Sequence, residues 1–318
     1  MDGILDFSIG LSEGVAWPWP IAVYLFLAGI SGGALGAALT AGKLRGTSGE
    51  DSPMLKAASL TGFATICLGM LCLVLDLTDP LFFWRILVFY NPTSVMSIGV
   101  MMLLLYIPLT ALLTVIVLRR DFSRIGALAW LGRIGGILNA ARGLITWLTL
   151  FLAFGICAYT GFLISALIRF PLINTAVLPA LFVASGLSAG TAVTRLIAAG
   201  VFGASRESRD LTLLHLAEWP MMAAEIGCIF MIGIAMLFGY AGAQAAASAF
   251  TTGVWAQVFW IGAVGAGFGI PILTGLFSRH GSAAAFWLSG MAAVGGMMCL
   301  RLFILYAGQL NSVMQVTI

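Results

Sequence analysis

Residues 19–42 read "WPIAVYLFLAGISGGALGAALTAG", a run of 24 residues without a charged side chain. A hydrocarbon core about 30 Å thick requires about 20 apolar residues in one helix, so this run predicts a membrane-spanning helix. Of the 318 residues 61% are hydrophobic and 8% are charged, and the mean hydropathy is +1.08. Seven further runs follow, and the sequence therefore predicts an all-α integral membrane protein with eight transmembrane helices, at about 19–42, 55–77, 95–118, 143–168, 176–201, 217–239, 254–277 and 284–308.

Positive charge is distributed unevenly between the connections. The odd-numbered connections carry ten Lys and Arg residues: Lys43, Arg45, Lys56, Arg119, Arg120, Arg124, Arg133, Arg206, Arg209 and Arg279. The even-numbered connections carry only Arg85 and Arg169. Positively charged loops remain in the cytoplasm, so both termini are expected on the outer side, which is the periplasm if this is a bacterial inner-membrane protein. The first 14 residues have no basic residue of the kind that begins a cleaved signal, so we expect the first span to be retained.

Two small-residue stretches resemble each other. Gly29-Ile-Ser-Gly-Gly33 in the first span aligns with Gly186-Leu-Ser-Ala-Gly190 in the fifth. An offset of four spans gives both copies the same direction, which predicts two parallel four-helix bundles, residues 1–168 and 169–318. The alternative is that small residues recur simply because they allow membrane helices to approach closely.

Cysteine and histidine usage argues against a metal centre in this protein. The five cysteines all lie within spans and form no CxxC pair, so neither an iron–sulfur cluster nor a zinc site is expected. The two histidines, His215 and His280, lie near cytoplasmic loops, whereas a membrane b-type haem needs paired axial ligands within the bundle. We therefore expect no haem and no iron–sulfur cluster in the polypeptide itself.

Ionisable and hydroxyl side chains in the outer halves of the spans form a first candidate cluster. Its predicted members are Asp76, Arg301, Tyr24, Tyr159, Tyr306 and Gln309. A carboxylate that accepts a proton, hydroxyls that hold a quinone oxygen and apolar walls would together make a quinol pocket. A structural ion pair between Asp76 and Arg301 accounts equally well for the two charges.

A second candidate cluster is predicted in the inner halves of the spans, and its members are Arg142, Arg195, Glu218 and Glu225. Charged side chains at membrane depth are costly and mark proton or ion pathways, so a proton route is one interpretation. The other interpretation is anchoring, in which the side chains of Arg142, Arg195 and Glu218 extend to the lipid headgroups. Glu225 is predicted to lie too deep for this interpretation.

Six blocks in order along the whole sequence resemble the NrfD/PsrC family, the membrane subunits of polysulfide reductase and of the formate-dependent nitrite reductase pathway. The strongest resemblance is to the nitrite-pathway members. The blocks are "WPWPIAVYLFLAGISGG" (17–33), "LDLTDPLFFWRI" (75–86), "NPTSVMSIGVMM" (91–102), "AYTGFLISAL" (158–167), "LPALFVASGLSAG" (178–190) and "LRLFILYAGQ" (300–309).

The resemblance implies a menaquinol-oxidising subunit without haem, whose electrons pass to a periplasmic ferredoxin-like subunit with four [4Fe–4S] clusters. Asp76 matches the family's carboxylate at the outer end of the second helix, and Tyr159 matches its tyrosine in the fourth. A histidine that some members carry in the first helix is replaced here, and Tyr24 is the expected substitute. In this interpretation Asp76 accepts a proton and Arg301 stabilises the carboxylate or the developing quinone anion.

The connection between the second and third spans, "TDPLFFWRILVFYNPTS" (78–94), is long, aromatic and predicted to face outward. It is the expected docking surface for the iron–sulfur partner, and Phe82, Phe83, Trp84 and Tyr90 are its aromatic candidates.

Two other functions remain open at this stage. A secondary transporter would also have parallel repeats and buried charges, although transporters place helix breaks near the midplane and the spans have no internal prolines in matched positions. A structural membrane anchor without quinone chemistry is the second. The terminal acceptor is reduced by another polypeptide and is not encoded here.

Overall fold

The computed structural model describes residues 17, 19–46, 52–75, 84, 91, 94–277 and 282–310. Within these residues eight helices are long and apolar enough to cross a membrane, which confirms the predicted number and class. They are α1 (Trp19–Leu44), α2 (Pro53–Leu75), α3 (Val95–Val117), α4 (Arg142–Ser165), α5 (Leu178–Gly200), α6 (Arg209–Phe238), α7 (Gly253–Phe277) and α8 (Ala283–Leu310).

The start of α6 differs most from the sequence prediction. The helix begins at Arg209 rather than at 217. Its first two turns contain charged residues, which the apolar run excludes, but also Leu211 and Leu214, which are buried against the protein. Pro220 lies inside the helix without ending it. Glu225 is therefore about 24 Å from the helix start, halfway along a 30-residue helix.

Helices α1 and α5 form the centre of the molecule. The two small-residue stretches found in the sequence cross each other here: a Cβ atom on Gly33 would overlap the carbonyl of Gly186, and one on Gly190 would overlap the backbone of Ala34. Because Gly33 and Gly190 have no side chains, the two backbones touch at these positions. Small residues commonly allow this close approach between membrane helices.

The remaining helices pack around this pair in a repeated pattern. Helix α1 packs on α2 and α4, and α5 packs in the same way on α6 and α8. Helix α3 packs on α4, as α7 does on α8. The division into 1–168 and 169–318 remains a prediction; this pattern agrees with it, but the α1–α5 crossing joins the halves through one core.

Two ion pairs bring three connections together at one end of the bundle, called the basic end below. Arg45 after α1 pairs with Asp210 at the start of α6, and Lys56 Nζ at the start of α2 lies 2.6 Å from Asp121 after α3. At the opposite end the Gln309 side chain accepts a hydrogen bond from the Trp17 amide at 3.2 Å. The first, third and fifth connections thus share one end, as the charge distribution predicted, whereas Arg279 of the seventh lies outside the described residues.

Candidate functional site

Two tyrosines from different helices converge in the half of the bundle at the opposite end. Tyr24 lies on the second turn of α1 and is 1% exposed, and Tyr159 lies near the end of α4 and is also buried. The two phenols are close enough to interact electrostatically. Among the described residues, the Tyr24 hydroxyl has no hydrogen-bond partner. A buried hydroxyl without a partner is costly, so this pair has capacity for a polar group of a ligand.

A glycine lies beside each ring, and the one at Gly99 leaves space that the ring occupies. A Cβ atom on Gly99 of α3 would overlap the ring of Tyr159, whereas one on Gly69 of α2 would make an ordinary contact with the Tyr24 ring at 3.4 Å. The tyrosine pair is thus enclosed by α1, α2, α3 and α4. Sequence reasoning missed both glycines, although each interrupts a run of larger apolar residues on the helix that faces a tyrosine.

Several predicted residues lie outside the described part of the sequence. These are Asp76, Phe82, Phe83 and Tyr90. Asp76 directly follows Leu75, the last residue of α2, at the end of the bundle where Tyr24 and Tyr159 lie. Trp84 is described, and its side chain is 46% exposed.

Tyr306 and Gln309 lie on the last turns of α8, and their role in quinone binding remains a prediction. The Tyr306 ring stacks on Trp255 of α7 with centroids 4.9 Å apart. The Gln309 amide bonds the backbone of Trp17 through both its oxygen and its nitrogen, and its nitrogen also donates to the Leu305 carbonyl at 2.8 Å. Gln309 therefore fastens the start of α1 to the end of α8.

Arg301 is fully buried where α8 meets α5. Its Nη2 donates to Ser185 Oγ at 2.8 Å and to the Phe182 carbonyl at 3.2 Å, and the guanidinium lies 3.5 Å from the centroid of the Phe182 ring. Its charge also interacts with Glu225 of α6. The sequence assigned Arg301 to the outer cluster and Glu225 to the inner one, whereas the structure brings them together.

A cavity of about 10 Å³ adjoins Glu225 and is lined also by Ser185, Ser188 and apolar residues of α7 and α8. That volume suits about one water molecule, and the polar lining supplies its partners. Among the described residues, Nε and Nη1 of Arg301 have no hydrogen-bond partner. Glu225 and Arg301 are thus a buried acid and a buried base that can each bind a further polar group.

A second buried ionic group lies nearer the basic end. Arg195 Nη1 donates to Oε1 and Oε2 of Glu218 at 2.7 and 2.5 Å, and His215 Nδ1 lies 2.9 Å from Oε2 of the same carboxylate. His215 was not included in the predicted cluster. His215 and Glu218 are three residues apart, and side chains at that spacing on a helix are neighbours. This spacing is the sequence signal that could have identified His215.

Arg142 begins α4 at the basic end and is half-buried. Its charge acts on Arg119. The structure thus separates the other three inner residues: Arg195 bonds Glu218 directly, whereas Glu225 lies within electrostatic range of Arg301.

Comparison with known proteins gives matches along nearly the whole sequence. The family described as "Polysulphide reductase, NrfD" matches residues 8–313. The C component of polysulfide reductase from Wolinella succinogenes is 38% identical, over 95% of this sequence and 97% of that protein. Protein NrfD of Escherichia coli is 35% identical, over 94% and 96%. The C component of selenate reductase from Mesobacillus selenatarsenatis is 23% identical, over 94% of this sequence and 77% of that protein. The first two identities are too similar to favour a nitrite-pathway relative over a polysulfide one.

Proposed function

The protein belongs to the NrfD family of polysulphide reductase membrane subunits, and from this premise we propose that it oxidises menaquinol in the membrane and passes the electrons to an iron–sulfur subunit. Membership makes it a multi-pass membrane subunit of an oxidoreductase complex. The single observation that best supports quinol chemistry is the enclosed Tyr24–Tyr159 pair, in which the Tyr24 hydroxyl bonds no described residue. A quinol has two oxygens on an apolar ring, and phenols in an apolar enclosure fit such a substrate.

In the proposed reaction the protein's residues orient the quinol and remove its protons. Tyr24 and Tyr159 hold a substrate oxygen, and Asp76 accepts a proton. Menaquinol loses two electrons and two protons in all, and the electrons leave one at a time to the partner subunit. Arg301 lies between the two sites, because its Nη2 donates to Ser185 of α5 and its charge interacts with both Glu225 of α6 and Cys157 of α4.

Replacing Asp76 by Asn tests the base. The substitution keeps the shape and removes the proton acceptor, so quinol oxidation should fall about 100-fold or more while the complex still assembles. The measurement is oxidation of a menaquinol analogue in membranes with confirmed levels of the protein. Near wild-type turnover of D76N would show that Asp76 is not the base.

The docking of the partner and the orientation of the protein are tested together with two single cysteines. We propose that the 78–94 connection faces the periplasm and binds a ferredoxin-like subunit with four [4Fe–4S] clusters. Trp84→Cys should react with a membrane-impermeant thiol reagent in intact spheroplasts lacking the partner, and the partner should protect it. Ser205→Cys, exposed in the connection after α5, should react only after lysis. The reverse labelling would overturn the orientation, and absence of protection would exclude this surface.

We further propose that Glu225, with Arg301, Glu218 and Arg195, forms a proton route through the second half of the molecule. Glu218 and Glu225 lie seven residues apart on α6, about 10 Å along the helix axis. That gap is too long for direct transfer, and the cavity beside Glu225 is suited to a bridging water. A membrane-buried acid with a water-sized space beside it is the feature that supports this second role.

A further inference from the structure

A histidine near the start of α6 connects a buried ion pair with the outside of the protein at the basic end. His215 lies on the second turn of the helix, about 9 Å along the axis from Arg209 and just before the apolar run that begins at 217. Its side chain is 37% exposed, whereas those of Glu218 and Arg195 are 9% and 8% exposed. His215 is therefore the member of this group that water at the basic end can reach.

The contact with Glu218 fixes which ring nitrogen of His215 carries a hydrogen. Nδ1 lies 2.9 Å from Oε2 of Glu218, and a carboxylate can only accept hydrogen bonds. Neutral His215 therefore donates from Nδ1 to Glu218, and its Nε2 has a lone pair that can accept a proton. An imidazole in this state can gain a proton at one nitrogen and release one from the other, which is the property of a proton shuttle.

Arg195 of α5 holds the same carboxylate from the other side. Its Nη1 donates to Oε1 and Oε2 of Glu218 at 2.7 and 2.5 Å. The Arg195 guanidinium in turn lies 5.0 Å from the centroid of the Phe286 ring of α8. Because the carboxylate is held in place by α5, its contact with His215 has a defined geometry.

The other charged residues in the first turns of α6 do not take the place of Glu218. Asp210 pairs with Arg45 after α1, and Arg209 is exposed at the helix start. Within the part of the sequence that the structure describes, Glu218 is the charged group within hydrogen-bond distance of His215. A proton that His215 releases from Nδ1 thus has one direct acceptor, Glu218.

We propose that His215 is the point where protons enter the second half of the molecule from the basic end, an inference that rests on the proton route proposed above for Glu218 and Glu225. Nε2 gains a proton from a hydronium ion while the Nδ1 proton moves to Oε2 of Glu218, so the imidazole remains neutral. Protonated Glu218 leaves the Arg195 charge without a counter-ion in the protein interior, which is costly. Glu218 therefore passes the proton on toward Glu225 rather than storing it.

The test is the number of protons moved per electron in proteoliposomes, with His215→Gln compared with wild type and with Glu225→Gln. Glutamine can still donate a hydrogen bond to Glu218 but cannot shuttle a proton, so the ratio should fall to that of E225Q while quinol-analogue oxidation is retained. His280→Gln is the matched control, because it replaces the other histidine of the sequence, and it should leave the ratio unchanged.

His215→Ala adds a readout that a structural role would not change. The side chain is partly exposed, so imidazole added to the buffer can reach the space that alanine leaves and should restore the ratio in H215A but not in E225Q. A loss in H215A that imidazole does not restore would make His215 structural and overturn the proposal. A wild-type ratio in H215Q beside a lowered ratio in E225Q would place the entry elsewhere and leave the route standing. Wild-type ratios in both would overturn the route and this entry together.

Discussion

At the scale of single residues, Gly99 sets the position of Tyr159. The tyrosine ring occupies the place where a side chain on Gly99 would be, so the backbone of α3 forms one wall of the proposed quinol pocket. A pocket wall made of backbone cannot adjust by rotating a side chain, and substitutions there act directly on the ring.

Gly99→Ala should therefore reduce quinol-analogue oxidation about tenfold to 100-fold, since displacement of a binding group by about 1 Å has effects of that size. The measurement is turnover in membranes with normalised protein levels. Gly227→Ala is the matched control, because a Cβ atom there meets open space. Equal activity of the two variants would mean that Tyr159 is not a substrate contact.

At the scale of elements, the α1–α5 crossing decides how the eight helices assemble. Gly33 and Gly190 each touch the opposite backbone, so the separation of the two helix axes depends on the lack of side chains. Gly36 on α1 is less constrained, since a Cβ atom there would meet only side chains at 3.3 Å or more, and it provides an internal comparison.

Gly33→Ala should lower the free energy of unfolding by about 1–3 kcal/mol or more, because the added methyl group forces the helices apart. The measurement is thermal or denaturant unfolding in detergent. Gly36→Ala, three residues away on α1, should have a much smaller effect, since its nearest neighbour is the Leu187 side chain at 3.3 Å, which can rotate. Equal destabilisation by both would show that helix propensity rather than the crossing is responsible.

At the scale of the whole molecule, the proposed quinol pocket lies among α1–α4 and the Glu225–Arg301 pair lies among α5–α8. The two sites share the central pair α1 and α5, since a Cβ atom on Gly29 would lie 3.5 Å from Arg301 Nη2 and the Sγ of Cys157 lies 3.7 Å from the Gly29 carbonyl. The proposed electron transfer and the proposed proton movement would therefore meet at this crossing.

Glu225→Gln separates the two roles. It should lower the number of protons moved per electron in proteoliposomes while quinol-analogue oxidation and quinone binding are retained, because the amide cannot carry a proton. Glu207→Gln, an exposed acid in the connection before α6, is the matched control and should leave the ratio unchanged. An unchanged ratio in E225Q would assign Glu225 a structural role beside Arg301.

The sequence alone determined the class of the protein, the eight spans and the shared end of the basic connections. These properties depend on the length of each apolar run and on the number of basic residues in each connection. Each span must fit the thickness of the bilayer by itself, so its own sequence is sufficient to reveal it. It also identified the two small-residue stretches and the tyrosines of α1 and α4, although not that the stretches cross each other.

Only the tertiary structure decided which buried charges meet. The sequence predicts Arg301 and Glu225 at different depths because the apolar run of α6 starts at 217, whereas the helix itself begins at Arg209. An apolar run does not fix where its helix extends into water. In lipid both the inward and the outward face of a helix are apolar, so no hydrophobic stripe shows which way a residue points. The structure places Arg301 of α8 within electrostatic range of Glu225 of α6, and Arg142 of α4 within range of Arg119. These positions depend on the rotation of each helix about its axis, which its apolar sequence does not fix.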